Sequence, residues 1–283
     1  MSFLSVTAGH AARVVLLLAL ALSANAANAG KIFTSTSAHP LDSVRLGVFG
    51  HTSANFADND AGWASVLSGA SGPFVAIMVG ENPGRALSAA TKTSIASYVS
   101  TGGRIIVASD HAGNVAFMNS VFGYATTLNY GCASAEDVAG TKQPAATGTE
   151  FGAGPLTVTN LSCTSALNIA SVPAGAATIY AGTGTALTFA ADFGSGRFVW
   201  LGYDYCCGAA AKMDDWYIVL DSAIKFTGLF TNCSDEGFTG SKLTLCRQVC
   251  EVPQRASTLA NLSKMYTTLY KSPIPCSSVT ARL

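Results

Sequence analysis

The sequence predicts an α/β fold: a three-layer, mostly parallel sheet carrying a β-hairpin, followed by a small disulfide-stapled helical module. Three observations predict it. Apolar runs of strand length at Phe74–Gly80 and Arg104–Ser109 are each followed by a helix-length segment. That is the pattern of parallel strands buried on both faces and joined by right-handed crossovers. Two strand-like arms, Thr185–Phe193 and Arg197–Asp204, flank Gly194-Ser195-Gly196, a hairpin signal. Four of the eight cysteines fall between Cys233 and Cys276, in a segment too small for much of a core.

Taken in order, "VRLGVFG" (Val44–Gly50) predicts a strand ending at His51. Phe74–Gly80 predicts a second strand, stopped by the turn Glu81-Asn82-Pro83-Gly84. Leu87, Thr91, Ile95 and Tyr98 then fall at helical spacing, and Gly102-Gly103 ends the helix. "RIIVAS" predicts a strand ending at Asp110, and a short helix follows, with Asn114 as N-cap and Val115, Met118 and Phe122 inward. From Tyr124 to Ala181 the pattern loosens into Gly, Ser and Thr with short β-like pieces. In the first hairpin arm Leu187, Phe189, Ala191 and Phe193 alternate; the second arm is apolar on both faces and belongs inside the sheet. A helix capped by Asp214 or Asp215 closes the domain, with Trp216, Val219, Ala223 and Thr227 on one stripe.

Residues 1–29 read as a signal peptide. Arg13 precedes "VVLLLALAL", and two small-residue sites follow, at Ala26 and Ala29. The apolar run is too short to span a bilayer, so no membrane span is expected after cleavage and the mature chain is expected to be secreted or periplasmic. Residues 30–230 then form the α/β domain and 231–283 the module. With a net charge of zero and 11% charged residues, nothing suggests a basic surface for nucleic acid.

An even number of cysteines fits an oxidising compartment. Two separate sets are expected. Cys132 and Cys163 would bridge to Cys206 and Cys207, since a bond between neighbours strains the peptide between them. Cys233, Cys246, Cys250 and Cys276 would pair within the tail, with Cys246–Cys276 and Cys233–Cys250 favoured among three possible connectivities. A zinc site is the competing reading of the tail, although the tail holds no histidine.

Ligands of parallel α/β sheets bind beyond the carboxyl ends of the strands. The predicted strands end on titratable residues: His51, Glu81, Asp110 with His111, and Asp204. These are the ligand-binding candidates, and His51, Asp110 and His111 are the candidates for a metal. The ordinary alternative is that strand ends lead into loops and loops are polar. No metal-ligand spacing, Gly-x-Ser-x-Gly elbow, P-loop or Gly-x-Gly-x-x-Gly motif accompanies them.

The layout from Val44 to Phe230 resembles the class I glutamine amidotransferase-like superfamily, in the broad sense that includes ThuA-like domains. "RLGVFGH" resembles the family's first strand and "IMVGENPG" its Gly/Pro loop, the source of an oxyanion-hole amide in active members. "GRIIVASDHAGN" resembles the elbow carrying the nucleophile, and "GRFVWLGYDY" the late strand leading to the catalytic histidine. The resemblance implies a flavodoxin/amidotransferase-like sheet. It does not carry the activity over, because the elbow offers Ser109, Asp110 and His111 without a cysteine and the late strand ends in Asp204-Tyr205 without a histidine. The tail resembles a short Cys-rich module appended to secreted bacterial proteins.

The expected function is therefore that of a secreted, non-catalytic domain. It binds a small or saccharide ligand at the strand-end rim or serves a cell-surface interaction role, and no cofactor is expected. Two alternatives stand beside it: a metal-assisted hydrolase using His51, Asp110, His111 and Asp204, and a structural surface protein.

Overall fold

The computed structural model describes residues 30–36, 38, 40–80, 85–109, 112–130, 139–159, 164–205, 210–226 and 228, with isolated residues between 241 and 269. All eight cysteines, Glu81, Asp110, His111, the 1–29 segment and nearly all of the 231–283 module lie outside them.

Five strands form the parallel half of the sheet: β1 (Lys31–Ser35), β2 (Thr52–Phe56), β3 (Ala76–Val79), β4 (Arg104–Ala108) and β11 (Gly196–Leu201), in the order β2-β1-β3-β4-β11. The other half is antiparallel. β10 (Thr185–Phe193) pairs with β11, and β9 (Ala177–Gly182), β6 (Gly140–Lys142) and β7 (Thr157–Val158) continue outward. Two short strands, β5 (Leu128–Tyr130) and β8 (Ala166–Asn168), lie off this path, β8 pairing with β10. The sheet is thus mixed, and the expected parallel arrangement describes its first half.

Helices cover both faces, as expected of three layers. On one side lie α1 (Ser43–Val48) and α5 (Ala210–Lys225), whose Leu46, Trp216, Val219 and Ala223 pack with Ile32, Met78 and Ile106. On the other lie α2 (Asp60–Leu67), α3 (Ala89–Ser100) and α4 (Ala112–Phe122), whose Trp63, Ile95, Val99 and Met118 pack with Phe33, Ile77 and Ile105. Neighbouring residues of β1, β3 and β4 therefore alternate between two cores, which explains the unbroken apolar runs of β3 and β4.

Three expectations are corrected. Val44–Gly50 is not a strand. Asp42 caps a helix there, its carboxylate accepting from the Val44 and Arg45 amides, and Gly50 takes a positive φ of 78° just past the helix end. The alternation of Val44, Leu46 and Val48 is real, but only Leu46 is buried; Val44 and Val48 lie one helical turn apart and face solvent. The first strand is instead β1, with β2 following α1. Asn114 does not cap α4 but is buried within its first turn. Asp214 and Asp215 lie inside α5, which begins at Ala210. The hairpin stands as expected, with one refinement: its first arm carries a register shift around Thr188, so Leu187 enters one core and Phe189 the other.

The Asp42 cap carries a pH expectation. Its carboxyl is held below the usual carboxylate range, first by the Arg45 amide and then, against an opposing desolvation cost, by the Arg45 guanidinium and the Val44 amide. A lowered folded-state pKa gives a contribution complete above about pH 4 and lost as the pH falls through the lowered value. Amide exchange at Val44 and Arg45 should therefore accelerate in acid below that point. Asp42→Asn, which caps without titrating, should abolish the acceleration; an unchanged profile in that variant would refute the assignment.

Candidate functional site

The carboxyl ends of the parallel strands are Ser35, Phe56, Val79, Ala108 and Leu201, and these ends lie along one rim of the sheet. The rim is tied together by hydrogen bonds between neighbouring strand ends. The buried Ser35 hydroxyl accepts from the Gly80 amide at 3.0 Å. The Ser109 amide donates to the Leu201 carbonyl at 2.9 Å, and the Ser109 carbonyl accepts from the Ser165 hydroxyl at 2.7 Å. Ser109 is fully buried.

A buried ionic network lies at the centre of the rim, between the loop after β2, the loop after β3 and the start of α4. Arg85 donates through Nε to Asp58 Oδ2 at 2.8 Å, and its Nη2 lies 2.7 Å from the same oxygen. Nη2 also donates to the Gly80 carbonyl at 2.7 Å, and Nη1 to Asn114 Oδ1 at 3.2 Å. Asn114 closes the loop by donating to the Ala108 carbonyl at 3.0 Å. Trp63 donates its indole N–H to Asp58 Oδ1 at 2.9 Å. The Arg85 guanidinium lies over the Phe117 ring, 4.7 Å from its centroid. The two charged side chains are only 4% and 3% exposed, so the pair is held in a low-dielectric setting.

Beside this network, between α3 and α4, is a cleft of about 200 Å³ lined by Arg85, Leu87, Lys92, Ala116, Phe117 and Ser120. A larger, open groove of about 650 Å³ runs between α2 and α3, lined by hydroxyl-bearing residues such as Thr91, Ser94 and Ser97 and by no charged side chain.

On the other side of the rim, Tyr203, Tyr205, Tyr217 and Trp216 pack ring against ring. Tyr205 has a positive φ of 66°, a conformation that costs a side-chain-bearing residue about 1 kcal/mol or more. Its hydroxyl donates to the Trp216 carbonyl at 3.0 Å, and Tyr217 accepts from the Asp42 amide at 2.7 Å. Burial pushes the phenols of Tyr203, Tyr205 and Tyr217 upward, so none of them can serve as a base near neutral pH.

Of the sequence-predicted site residues, Asp204 lies at this rim, buried and engaged. His51 does not. It precedes β2 and therefore sits at the amino edge of the sheet, opposite the end at which β4 leads towards residue 110. Its position follows from the correction above: the element before it is a helix running from the rim to the opposite edge. There the ring is wholly buried. Nε2 lies 2.8 Å from Asp221 Oδ1, Nδ1 accepts from the Gly30 amide at 3.3 Å, and Lys225 donates to Asp221 Oδ2 at 2.9 Å. Because Nδ1 is the acceptor, Nε2 carries the proton directed at Asp221. Among the described residues no group of three or more His, Cys, Asp or Glu side chains is placed to hold a metal.

No family model and no curated protein matches the chain. Several solved structures align with about two thirds of the chain. A cytoplasmic protein from Salmonella typhimurium LT2 aligns with 69% of this chain and 97% of its own, at 10% identity and a TM-score of 0.47. A protein described as ThuA-like from Bacteroides uniformis aligns with 69% of this chain and 90% of its own, at 8% identity and a TM-score of 0.45. A second Salmonella typhimurium cytoplasmic protein covers 68% of this chain and 97% of its own, at 9% identity and a TM-score of 0.46.

Sequence reasoning missed Asp58, Arg85 and Asn114. The available signal was Arg85 itself, a lone cation directly after the Glu-Asn-Pro-Gly turn in a chain with 11% charged residues. Its partners are distant in sequence and obey no period.

Proposed function

We propose that the chain is an exported, non-catalytic α/β domain that binds a small polar ligand at the carboxyl rim of β3 and β4. The observation that carries this reading is the Asp58–Arg85–Asn114 network. It fixes two rim loops on a rigid scaffold beside a cleft, which is how binding side chains are held in place. Catalysis is disfavoured by the burial of Ser109, the one hydroxyl at the elbow position, whose amide and carbonyl are both engaged. The position of His51 at the amino edge weighs against a metal-assisted hydrolase that needs it beside residues 110 and 204. Export rests on the sequence of the first 29 residues alone.

The test is a nitrogen-15 NMR titration of the full mature chain with a panel of neutral monosaccharides and small carboxylates. Saturable shifts at the Arg85 Nε–H and the Asn114 side-chain amide are expected with at least one probe. Saturable shifts confined to the amino edge around His51 would overturn the assignment.

A further inference from the structure

The rim cleft has a chemical bias that narrows the ligand. Two charged side chains line it, Arg85 and Lys92, and both are cations. Asp58 neutralises Arg85 from behind, and its two oxygens face Arg85 and Trp63. Lys92, on the first turn of α3, donates its backbone amide to the Ser88 carbonyl, and its side chain has no ion pair or hydrogen bond among the described residues. Among the described residues the lining of the cleft therefore carries a positive charge, that of Lys92, with no carboxylate beside it in the lining. Its volume of about 200 Å³ is below the range of about 300–1,000 Å³ usual for drug-sized ligands, so the occupant is a few carbons to a single sugar ring in size.

The donor geometry narrows the ligand further. A guanidinium has five N–H groups. Asp58 takes the Nε and one Nη2 hydrogen, Gly80 the other Nη2 hydrogen, and Asn114 one Nη1 hydrogen. Among the described residues one Nη1 hydrogen is left without an acceptor, so Arg85 cannot offer the two-pronged edge that recognises phosphate. What remains is one guanidinium N–H and one ammonium, two donors for the two oxygens of a carboxylate. Leu87 and Ala116 add apolar wall for a short carbon skeleton.

Resting on the binding role proposed above, we infer that the cleft between α3 and α4 is a site for a compact organic carboxylate, such as a single uronic acid, held by Lys92 and the remaining Arg85 N–H. Lys92 sets the selectivity for the acid over the neutral sugar, while Arg85 holds the floor.

The experiment is calorimetric and NMR titration of the full mature chain with D-glucuronate, lactate, D-glucose and inorganic phosphate. The wild type should bind glucuronate or lactate at the rim more tightly than glucose. Lys92→Gln should weaken that binding at least tenfold and narrow the preference for the acid over glucose. Ala116→Leu, on an exposed helix position, fills the cleft and should abolish binding with every charge kept. Rim shifts with glucose and none with either carboxylate would keep the rim as a binding site and overturn the anionic assignment. Phosphate displacing the carboxylates at equal or lower concentration would overturn the two-donor argument. No rim shift with any probe would overturn both this inference and the binding role. An affinity unchanged in Lys92→Gln would remove Lys92 from the site and defeat the selectivity it is assigned.

Discussion

Replacing Asp58 with alanine should destabilise the domain by about 3–5 kcal/mol, the cost of leaving one member of a buried ion pair uncompensated. Arg85 would remain in place, with its charge facing the gap and the Trp63 indole N–H without its acceptor. The double variant Asp58→Asn, Arg85→Met should recover a large part of the loss, because no buried charge is left and the Asn side chain can still accept from Trp63. Urea denaturation of the wild type, Asp58→Asn, Arg85→Met and the double variant gives the coupling directly. A loss below about 1 kcal/mol for Asp58→Ala would mean that the pair behaves as a solvated surface contact, and the claim that it holds the rim rigid would go with it. The same variant should also blunt ligand binding, since the loops after β2 and β3 lose their common anchor.

Gly196→Ala is expected to cost about 3 kcal/mol, at the upper end of what overpacking produces. A Cβ at this position would overlap the Val99 carbonyl oxygen and the Gly103 carbonyl oxygen, and both are backbone atoms that no rotamer change can move. The flanking residues are anchored to the same turn: the Ser195 amide donates to the Ser100 carbonyl and the Arg197 amide to the Gly103 carbonyl. Relief would require lifting the start of β11 from the end of α3, and with it the central pairing of the sheet. A thermal melt within a degree or two of wild type would show that the hairpin end is far more yielding than its contacts imply.

The sequence disclosed the parts of the fold that periodicity governs. β3, β4, α3, α4 and the β10–β11 hairpin are legible because their apolar residues run unbroken or recur at one spacing, and Gly102 and Gly194 mark their ends. Val44–Gly50 misled because an alternation of apolar residues fits a strand, while the evidence for a helix lay in its ends, Asp42 and Gly50. β1, "KIFTS", was overlooked for the opposite reason: two apolar residues between polar ends give no pattern, and only pairing on both sides makes it a central strand. The site followed the same division. That ligands gather at strand ends is a property of topology and could be read in advance, but which polar residues meet there depends on contacts such as Asp58 with Arg85 that span separate loops. His51 was misassigned because its place depended on the element before it.

The pairing of β4 with β11 also bears on the order in which the chain can fold. Arg104 meets Arg197 and Ala108 meets Leu201, so β4 gains its second neighbour only after the whole antiparallel half up to the hairpin has been synthesised. Until then Ile105, Ile106 and Val107 stand on an open edge, apolar on both faces, which is the kind of segment that recruits another chain. Folding should therefore be slow and late, and a chain ending before residue 196 should aggregate instead of forming a smaller version of the domain.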